Sequence, residues 1–229
     1  MSKSSVSNLL KGRKGIFITA TGTEVGKTYI SSLLINYLKE KNINVGYYKP
    51  ALSGVEIINN KYVAGDSNYI CTNNNININP NDLVSYIYKT EVSPHLASII
   101  EEKPIYLSKI LSDFETHKQK HDYLVVEGCG GIICPLNLKD EKLMLTDLIK
   151  ALNLDIIIVT NSELGTINST MLTIDYAKSI GINIVGVILN KYDESNFLHV
   201  NNKFSLEQLT DIPIIACIPE NSKNINILI

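Results

Sequence analysis

The sequence predicts an α/β fold: a doubly wound, mostly parallel sheet with helices on both faces. Three observations predict it. Short apolar runs rich in β-branched residues recur along the chain, with segments of helical period between them. Several runs lack in/out alternation, as in Ile156–Val159 and Ile184–Leu189, which is the pattern of strands covered on both faces. The first run opens onto a glycine-containing turn and then a helical segment, the order in which such sheets begin.

In chain order, residues 1–14 carry charges without an apolar stretch and read as a loosely ordered lead-in, not a secretory signal. The first strand is expected over Gly15–Ala20. A helix over Thr28–Lys41 would place Ile30, Leu33, Leu34, Tyr37 and Leu38 on one face. A second strand follows over Asn44–Tyr48. Residues 72–81 are rich in asparagine and read as a surface loop. Ser93 and Pro94 suit the cap and first position of a helix, so that His95 reads as a local contact and not a catalyst. A strand over Tyr123–Glu127 precedes an amphipathic segment, Leu143–Leu152. Strand Asp155–Thr160, helix Ile167–Ile180, strand Asn183–Asn190 and strand Pro213–Ile218 complete the series. No repeat and no linker divides it, which predicts one domain over residues 1–229.

Composition narrows the partners. Among 229 residues, 21 basic and 23 acidic side chains leave a formal net charge of −2, so nothing draws a nucleic-acid backbone or an anionic membrane to the surface. The longest apolar runs fall far short of the ~20 residues of a membrane span. The cysteines Cys71, Cys129, Cys134 and Cys217 form no C-x-x-C pair and have no zinc-type histidine partner, so they read as reduced thiols of a cytoplasmic protein.

Gly26-Lys27-Thr28 at a strand-to-helix turn is the essential half of a P-loop. Backbone N–H groups near Gly22–Gly26 would cradle phosphate oxygens, Lys27 would neutralise their charge, and the Thr28 hydroxyl would ligate Mg²⁺. The loop departs from the usual spacing, with Thr21 at the first glycine position and Gly22 behind it. Glu127 ends an apolar strand and precedes Gly128-Cys129-Gly130-Gly131, which is a metal-holding arrangement beside a P-loop or else a strand-capping acid. Lys49 is either a solvated loop residue after the second strand or a charge aimed at the phosphates. Asp66 is a second metal carboxylate or an N-cap. Thr166 could cap the helix after the fourth strand, where free N–H groups suit a substrate carboxylate.

Taken together, T-E-V-G-K-T (Thr23–Thr28), Y-K-P-A-L-S-G (Tyr48–Gly54), S-P-H-L-A (Ser93–Ala97), V-E-G-C-G-G (Val126–Gly131), L-G-T-I-N (Leu164–Asn168) and Asn190 resemble the dethiobiotin synthetase family of P-loop NTPases, over nearly the whole chain. The resemblance implies a cyclo-ligase of biotin synthesis that joins CO₂ to 7,8-diaminopelargonic acid, with ATP as co-substrate and Mg²⁺ as cofactor. It implies that Lys27, Lys49 and Thr23 serve the chemistry, and that Thr28, Asp66 and Glu127 hold the metal. Ser53 would contact the reacting end of the substrate. Gly165, Thr166 and Asn168 would hold its distal carboxylate from the neighbouring subunit of a homodimer. Glu24, Val25, Gly26, Lys27, Thr28 and Tyr29, with Asp66, Glu127, Gly128, Cys129 and Gly130, correspond to nucleotide contacts. Asn190 and Pro219 correspond to contacts with the base.

The chain departs from common family residues at Ala20, Gly22, Ser169, Lys191 and Glu220-Asn221, and the last two leave the base preference open. The competing readings are an amidoligase related to cobyrinate diamide synthase, which usually carries an extra domain, and a partition or Min-type ATPase switch. The second carries an additional lysine early in its loop, and Thr21–Thr28 has none.

Overall fold

In the computed structural model, which describes residues 14–228, strand β1 (Gly15–Ala20) leads through the glycine turn into helix α1 (Lys27–Lys39). β2 (Val45–Ser53), a short hairpin of β3 (Glu56–Ile58) and β4 (Lys61–Val63), and α2 (Gly65–Asn73) follow. Next come β5 (Val84–Tyr88), α3 (Pro94–Ile100), α4 (Leu107–Lys118) and β6 (Tyr123–Glu127). A second hairpin, β7 (Pro135–Asn137) and β8 (Leu143–Met144), precedes α5 (Leu145–Leu152) and β9 (Asp155–Asn161). The chain ends with α6 (Thr166–Ser179), β10 (Ile184–Asn190), α7 (Phe197–Leu209) and β11 (Ile214–Ile218).

The main sheet has seven strands in the order β11-β10-β9-β1-β6-β2-β5, all parallel. Its strands bury alternate residues into two layers. Phe17, Leu124, Val126, Ile156 and Ile158 face one layer with Ile110, Leu148, Ile174 and Leu206 of the helices. Ile16, Ile18, Val125, Ile157 and Val159 face the other, against Ile30, Leu33, Leu34 and Leu38 of α1. Each such fully buried Ile or Leu stabilises the fold by about 1.5–3 kcal/mol. β1 sits at the centre with β6 and β9 beside it, and the crossovers turn to opposite sides there. Ligands of doubly wound sheets bind at the carboxyl ends of the strands around that point.

Several expectations need correction. The second strand does not stop at Tyr48; it continues through Lys49 to Ser53, so Lys49 lies in the sheet and not in a loop. Pro50 permits this because β2 changes partner beside it. Val45–Tyr48 pair with β6, Lys49–Ser53 pair with β5, and the proline's missing N–H falls at the changeover. Leu143 and Met144 form a strand before the helix, which starts at Leu145. Asp66 is not an N-cap, for Ala64 occupies that position. Thr166 is not a cap either, since Gly165 takes that place with φ +91°. The asparagine-rich stretch is only partly a surface loop. Asn74 is buried and donates to Ser32 O (2.9 Å) and Asn36 Oδ1 (2.7 Å), which ties α2 to α1. The lead-in expected over residues 1–14 lies outside the described residues except for Lys14, whose carbonyl accepts from Leu124 N (2.9 Å).

Candidate active site

The ends of two strands and the middle of a third build the site. β1 delivers the turn 21–26, β2 delivers Lys49, and β6 delivers Glu127 between them, because β6 lies between β1 and β2 in the sheet. The turn reaches α1 through Gly26, whose φ of +95° is a left-handed conformation that costs other residues about 1–2 kcal/mol. Gly26 O accepts from Ile30 N (3.0 Å), which starts the helix and aims Lys27 and Thr28 back over the sheet edge.

A cavity of about 320 Å³ opens there. Thr23, Glu24, Gly26, Lys27, Thr28, Lys49, Ser53, Asp66, Glu127, Cys129 and Gly130 line it, so most of the predicted phosphate and reaction residues share one space. Lys49 is buried, and its Nζ lies 2.7 Å from both Asp66 Oδ2 and Glu127 Oε1. Burial alone would lower its pKa, but the two carboxylates overcome that and raise it above the usual lysine value. Lys27 shows the opposite balance. Its pKa is lowered by burial and by repulsion from Lys49, which leaves it short of negative charge. Its Nζ donates only to the Gly22 carbonyl, at 3.3 Å, among the described residues. An anion entering the cavity would relieve Lys27.

Glu127 is fully buried. Its Oε1 accepts from Thr28 Oγ1 (2.8 Å) and Lys49 Nζ (2.7 Å), and its Oε2 accepts from Tyr47 Oη (3.0 Å). The sequence reading missed Tyr47, although alternation along β2 puts it and Lys49 on the same face of that strand. In Tyr47→Phe, Oε2 would lose its donor with no change of shape. Stability should fall by about 1–3 kcal/mol in denaturant unfolding. An unchanged midpoint would mean that Oε2 has a different donor.

The donor set fits a small hard cation. Asp66 and Glu127 are oxygen ligands that already meet at one positive charge, the Lys49 ammonium, and Thr28 Oγ1 lies beside them, 2.8 Å from Glu127 Oε1. Among the described residues no group of three or more His, Cys, Asp or Glu is placed to cage a metal. Mg²⁺ takes only one or two carboxylates and keeps waters and phosphates for the rest.

Burial pushes the Asp66 carboxyl up, but Lys49 outweighs burial and holds it below its ordinary 3.8. A depressed carboxylate adds stability above the unfolded-state pKa and loses it as pH falls through the folded one. The stability gap between wild type and Asp66→Asn should therefore stay constant from neutral pH down to about 5 and change only on further acidification. A gap that changes near pH 7 would assign the effect to another group.

Other predicted residues lie elsewhere in the chain. Asn168 lines a separate cavity with Thr21, Ile133 and Leu172. The Thr166 hydroxyl is buried in structure, donating to Asn161 O (2.7 Å) and lying 2.9 Å from Thr160 Oγ1. Pro219 lines a further cavity with Lys191, Tyr192, His199 and Glu220. Asn190 is buried, its Nδ2 donating to Val25 O (2.9 Å). Tyr29 faces away from the phosphate side and donates to Ser222 O. His95 makes a contact distant in sequence and not the local one expected: its Nδ1 accepts from Leu138 N (3.1 Å). All four cysteines are free.

A strand–turn–helix phosphate loop with an acid ending the neighbouring strand gives the protein the architecture of a P-loop NTPase. A family model described as an AAA domain matches residues 14–226. An ATP-dependent dethiobiotin synthetase BioD of Clostridium botulinum strain Eklund 17B is 52% identical over 89% of this chain and 90% of its own length. The protein of the same name from strain Alaska E43 is 50% identical over 93% of this chain and 94% of its own. The chain belongs to the dethiobiotin synthetase family, enzymes of the ligase class. Among solved structures, the MinC:MinD cell division complex of Aquifex aeolicus is 18% identical with TM-score 0.55, covering 92% of this chain and 83% of that one. A plasmid partition protein of Borrelia burgdorferi is 17% identical with TM-score 0.55, covering 92% and 91%. At such identities the likeness extends to the fold alone, and the Min- or partition-type reading is not favoured. No helix among the described residues is long and apolar enough to cross a membrane.

Proposed function

We propose that this protein is an ATP-dependent dethiobiotin synthetase acting in the cytoplasm as a single-domain subunit of a homodimer. The observation that carries the reading is Lys49, buried midway along β2 where the strand passes from β6 to β5, and facing into the cavity that also holds the lysine of the phosphate loop. A partition- or Min-type hydrolase carries its additional lysine within the phosphate loop, whereas Lys49 comes from β2. A second lysine so placed suits an enzyme that must bring another anion up to the γ-phosphate.

In the proposed reaction one amine of 7,8-diaminopelargonic acid takes up CO₂ as a carbamate and releases a proton. A carbamate oxygen attacks the γ-phosphorus of ATP, and the bond to ADP breaks. The second amine then attacks the carbon of the mixed carbamic–phosphoric anhydride, phosphate leaves, and the ureido ring closes. Two anions must meet, so positioning and electrostatics carry the acceleration. Lys27 and Lys49 offset the charge from either side, while Thr23 and Ser53 hold the reacting end. The backbone of residues 24–28 and 127–130 cradles the phosphates. Thr28, Asp66 and Glu127 would hold Mg²⁺, which supplies charge neutralisation across the phosphates when bound. Asn190 and Pro219 would meet the base. The Asn190 Oδ1 is buried without a hydrogen-bond partner, which suits acceptance from an exocyclic amine.

ADP release that requires both the diamine and bicarbonate, with dethiobiotin identified by mass, tests the assignment. ATP hydrolysis indifferent to the diamine would overturn it.

Gly165, Thr166 and Asn168 do not line the phosphate cavity of their own chain, which supports their acting on the partner's site. A mixture of Lys27→Ala and Asn168→Ala proteins then tests the dimer. If each site takes its lysine from one subunit and its asparagine from the other, a mixed dimer has one site intact and both lesions in the second. Random exchange makes half the dimers mixed, so activity should return to roughly a quarter of wild type by two-fold symmetry. Flat activity after verified exchange would place both residues in the same subunit's site.

A further inference from the structure

We infer that Cys129 and Cys134 form a reversible disulfide that distorts the phosphate cavity, with a peroxide as the oxidant. Their sulfurs lie 4.0 Å apart across the turn Gly130-Gly131-Ile132-Ile133. Cys129 is half-buried and lines the phosphate cavity, so a small oxidant that enters beside Lys27 and Lys49 reaches its sulfur. Cys134 is buried behind it. Its carbonyl accepts from Leu145 N (2.8 Å) at the start of α5, which holds it in place. One thiol lines the cavity and the other is buried behind it, which is the division between an attacking and a resolving cysteine.

The step balances. The Cys129 sulfur attacks one peroxide oxygen, the O–O bond breaks, and the other oxygen leaves as water with the thiol proton. The resulting sulfenic acid is attacked by the Cys134 sulfur. The S–S bond forms, the S–O bond breaks, and a second water leaves with the second thiol proton. Two electrons pass from the two sulfurs to the peroxide. A thiol reductant reverses the bond by exchange.

Closing the bond requires the sulfurs to approach to about 2.05 Å. Cys134 is the anchored partner, so the displacement falls on the Cys129 segment. Glycines flank it on both sides, and Gly130 already has φ +62°. This segment cannot shift alone. The Gly128 carbonyl beside it accepts from Lys49 Nζ (3.4 Å). Drawing Cys129 towards Cys134 therefore disturbs the Lys49 ammonium. The gating of the site rests on the nucleotide reading proposed above. The bond itself does not.

Purified protein would be treated with hydrogen peroxide, and ADP binding in the presence of Mg²⁺ followed by calorimetry. Titratable thiols should fall from four to two, and the peptide spanning 129–134 should lose two hydrogens by mass. ADP affinity should drop at least ten-fold and return with dithiothreitol. Cys134→Ser should bind ADP as the reduced wild type does and gain oxygen at Cys129 without any internal bond. Cys134→Ala serves as the second variant if serine unsettles the core. Four free thiols after treatment, or a cross-linked protein that binds ADP with undiminished affinity, would overturn the inference. Reduced protein that binds no ADP overturns the nucleotide reading and with it the gating, whereas mass alone decides the bond.

Discussion

Lys49→Met is expected to lower turnover by about a hundred- to a thousand-fold, the usual loss when a buried group that stabilises transition-state charge is removed. Read from sequence alone, the substitution would be nearly neutral for folding, because an exposed loop lysine contributes little. The structure changes that part of the prediction. Lys49 is 3% exposed and holds two carboxylates at 2.7 Å each. Removing it leaves Asp66 and Glu127 facing each other without their shared cation, and breaking a buried pair in this way costs about 3–5 kcal/mol. Asp66 is partly open to solvent, so the effect should lie at the lower end of that range. The variant should thus unfold earlier in denaturant, and Mg²⁺ should recover more stability in it than in wild type, because the metal can replace the lost charge between the same oxygens. The metal cannot restore turnover if Lys49 acts on the phosphoryl group. Near-wild-type turnover at saturating ATP would remove Lys49 from the chemistry. Lost turnover regained with added Mg²⁺ would make it a structural counter-ion.

The central strands were legible because burial on both faces leaves unbroken runs such as Ile156–Val159, which little else in a chain of this composition produces. β1 and β6 matched their expected limits, and β9 and β10 differed by a residue. The edge strand β5, Val-Ser-Tyr-Ile-Tyr, was missed. Its residues mix polar and apolar groups, and its tyrosines use their hydroxyls, as Tyr88 does towards Lys103 O (2.7 Å). Helices α4 and α7 were also missed. In α7 the buried residues include the polar His199 and Asn202, so its helical period is faint in sequence, whereas α4 keeps its period but buries only Ile110 and Phe114.

The same contrast holds at the site. Lys27, Thr28 and Glu127 were legible because a phosphate loop and a strand-end acid carry local signatures. The pairing of Lys49 with Asp66 was not, since it joins residues whose meeting depends on how β2 and α2 pack. Tyr47 was invisible for a related reason. A tyrosine in a buried strand resembles ordinary core until its hydroxyl is seen to serve an acid eighty positions away. Thr166 and Asp66 show the reverse case, in which cap-forming residue types near a helix start suggested caps that backbone placement gave to Gly165 and Ala64.

Gly26→Ala should disable the phosphate loop, and the reason combines two separate costs. At φ +95° an alanine sits in the left-handed region, worth about 1–2 kcal/mol. Its Cβ would also land on Asn190 Nδ2, far inside contact distance. Asn190 is buried at the end of β10 and cannot swing into solvent. Its bond to Val25 O would be lost, and leaving those polar groups unpaired costs a further 1–3 kcal/mol or so. Displacing Gly26 tilts the first turn of α1, so Lys27 and Thr28 shift together. A misplacement of about 1 Å in such a site lowers turnover roughly a hundred-fold. Gly165 provides the comparison, since φ is +91° there with nothing within 4 Å of an added Cβ, so Gly165→Ala should carry the conformational cost alone. Unfolding midpoints of the two variants therefore separate strain from collision. In a Gly26→Ala/Asn190→Ala double variant the collision disappears and the strain remains, so the second substitution should be less damaging in the Gly26→Ala background than in wild type. Equal stability losses in Gly26→Ala and Gly165→Ala, with strictly additive behaviour in the double variant, would mean that Asn190 does not buttress the phosphate loop.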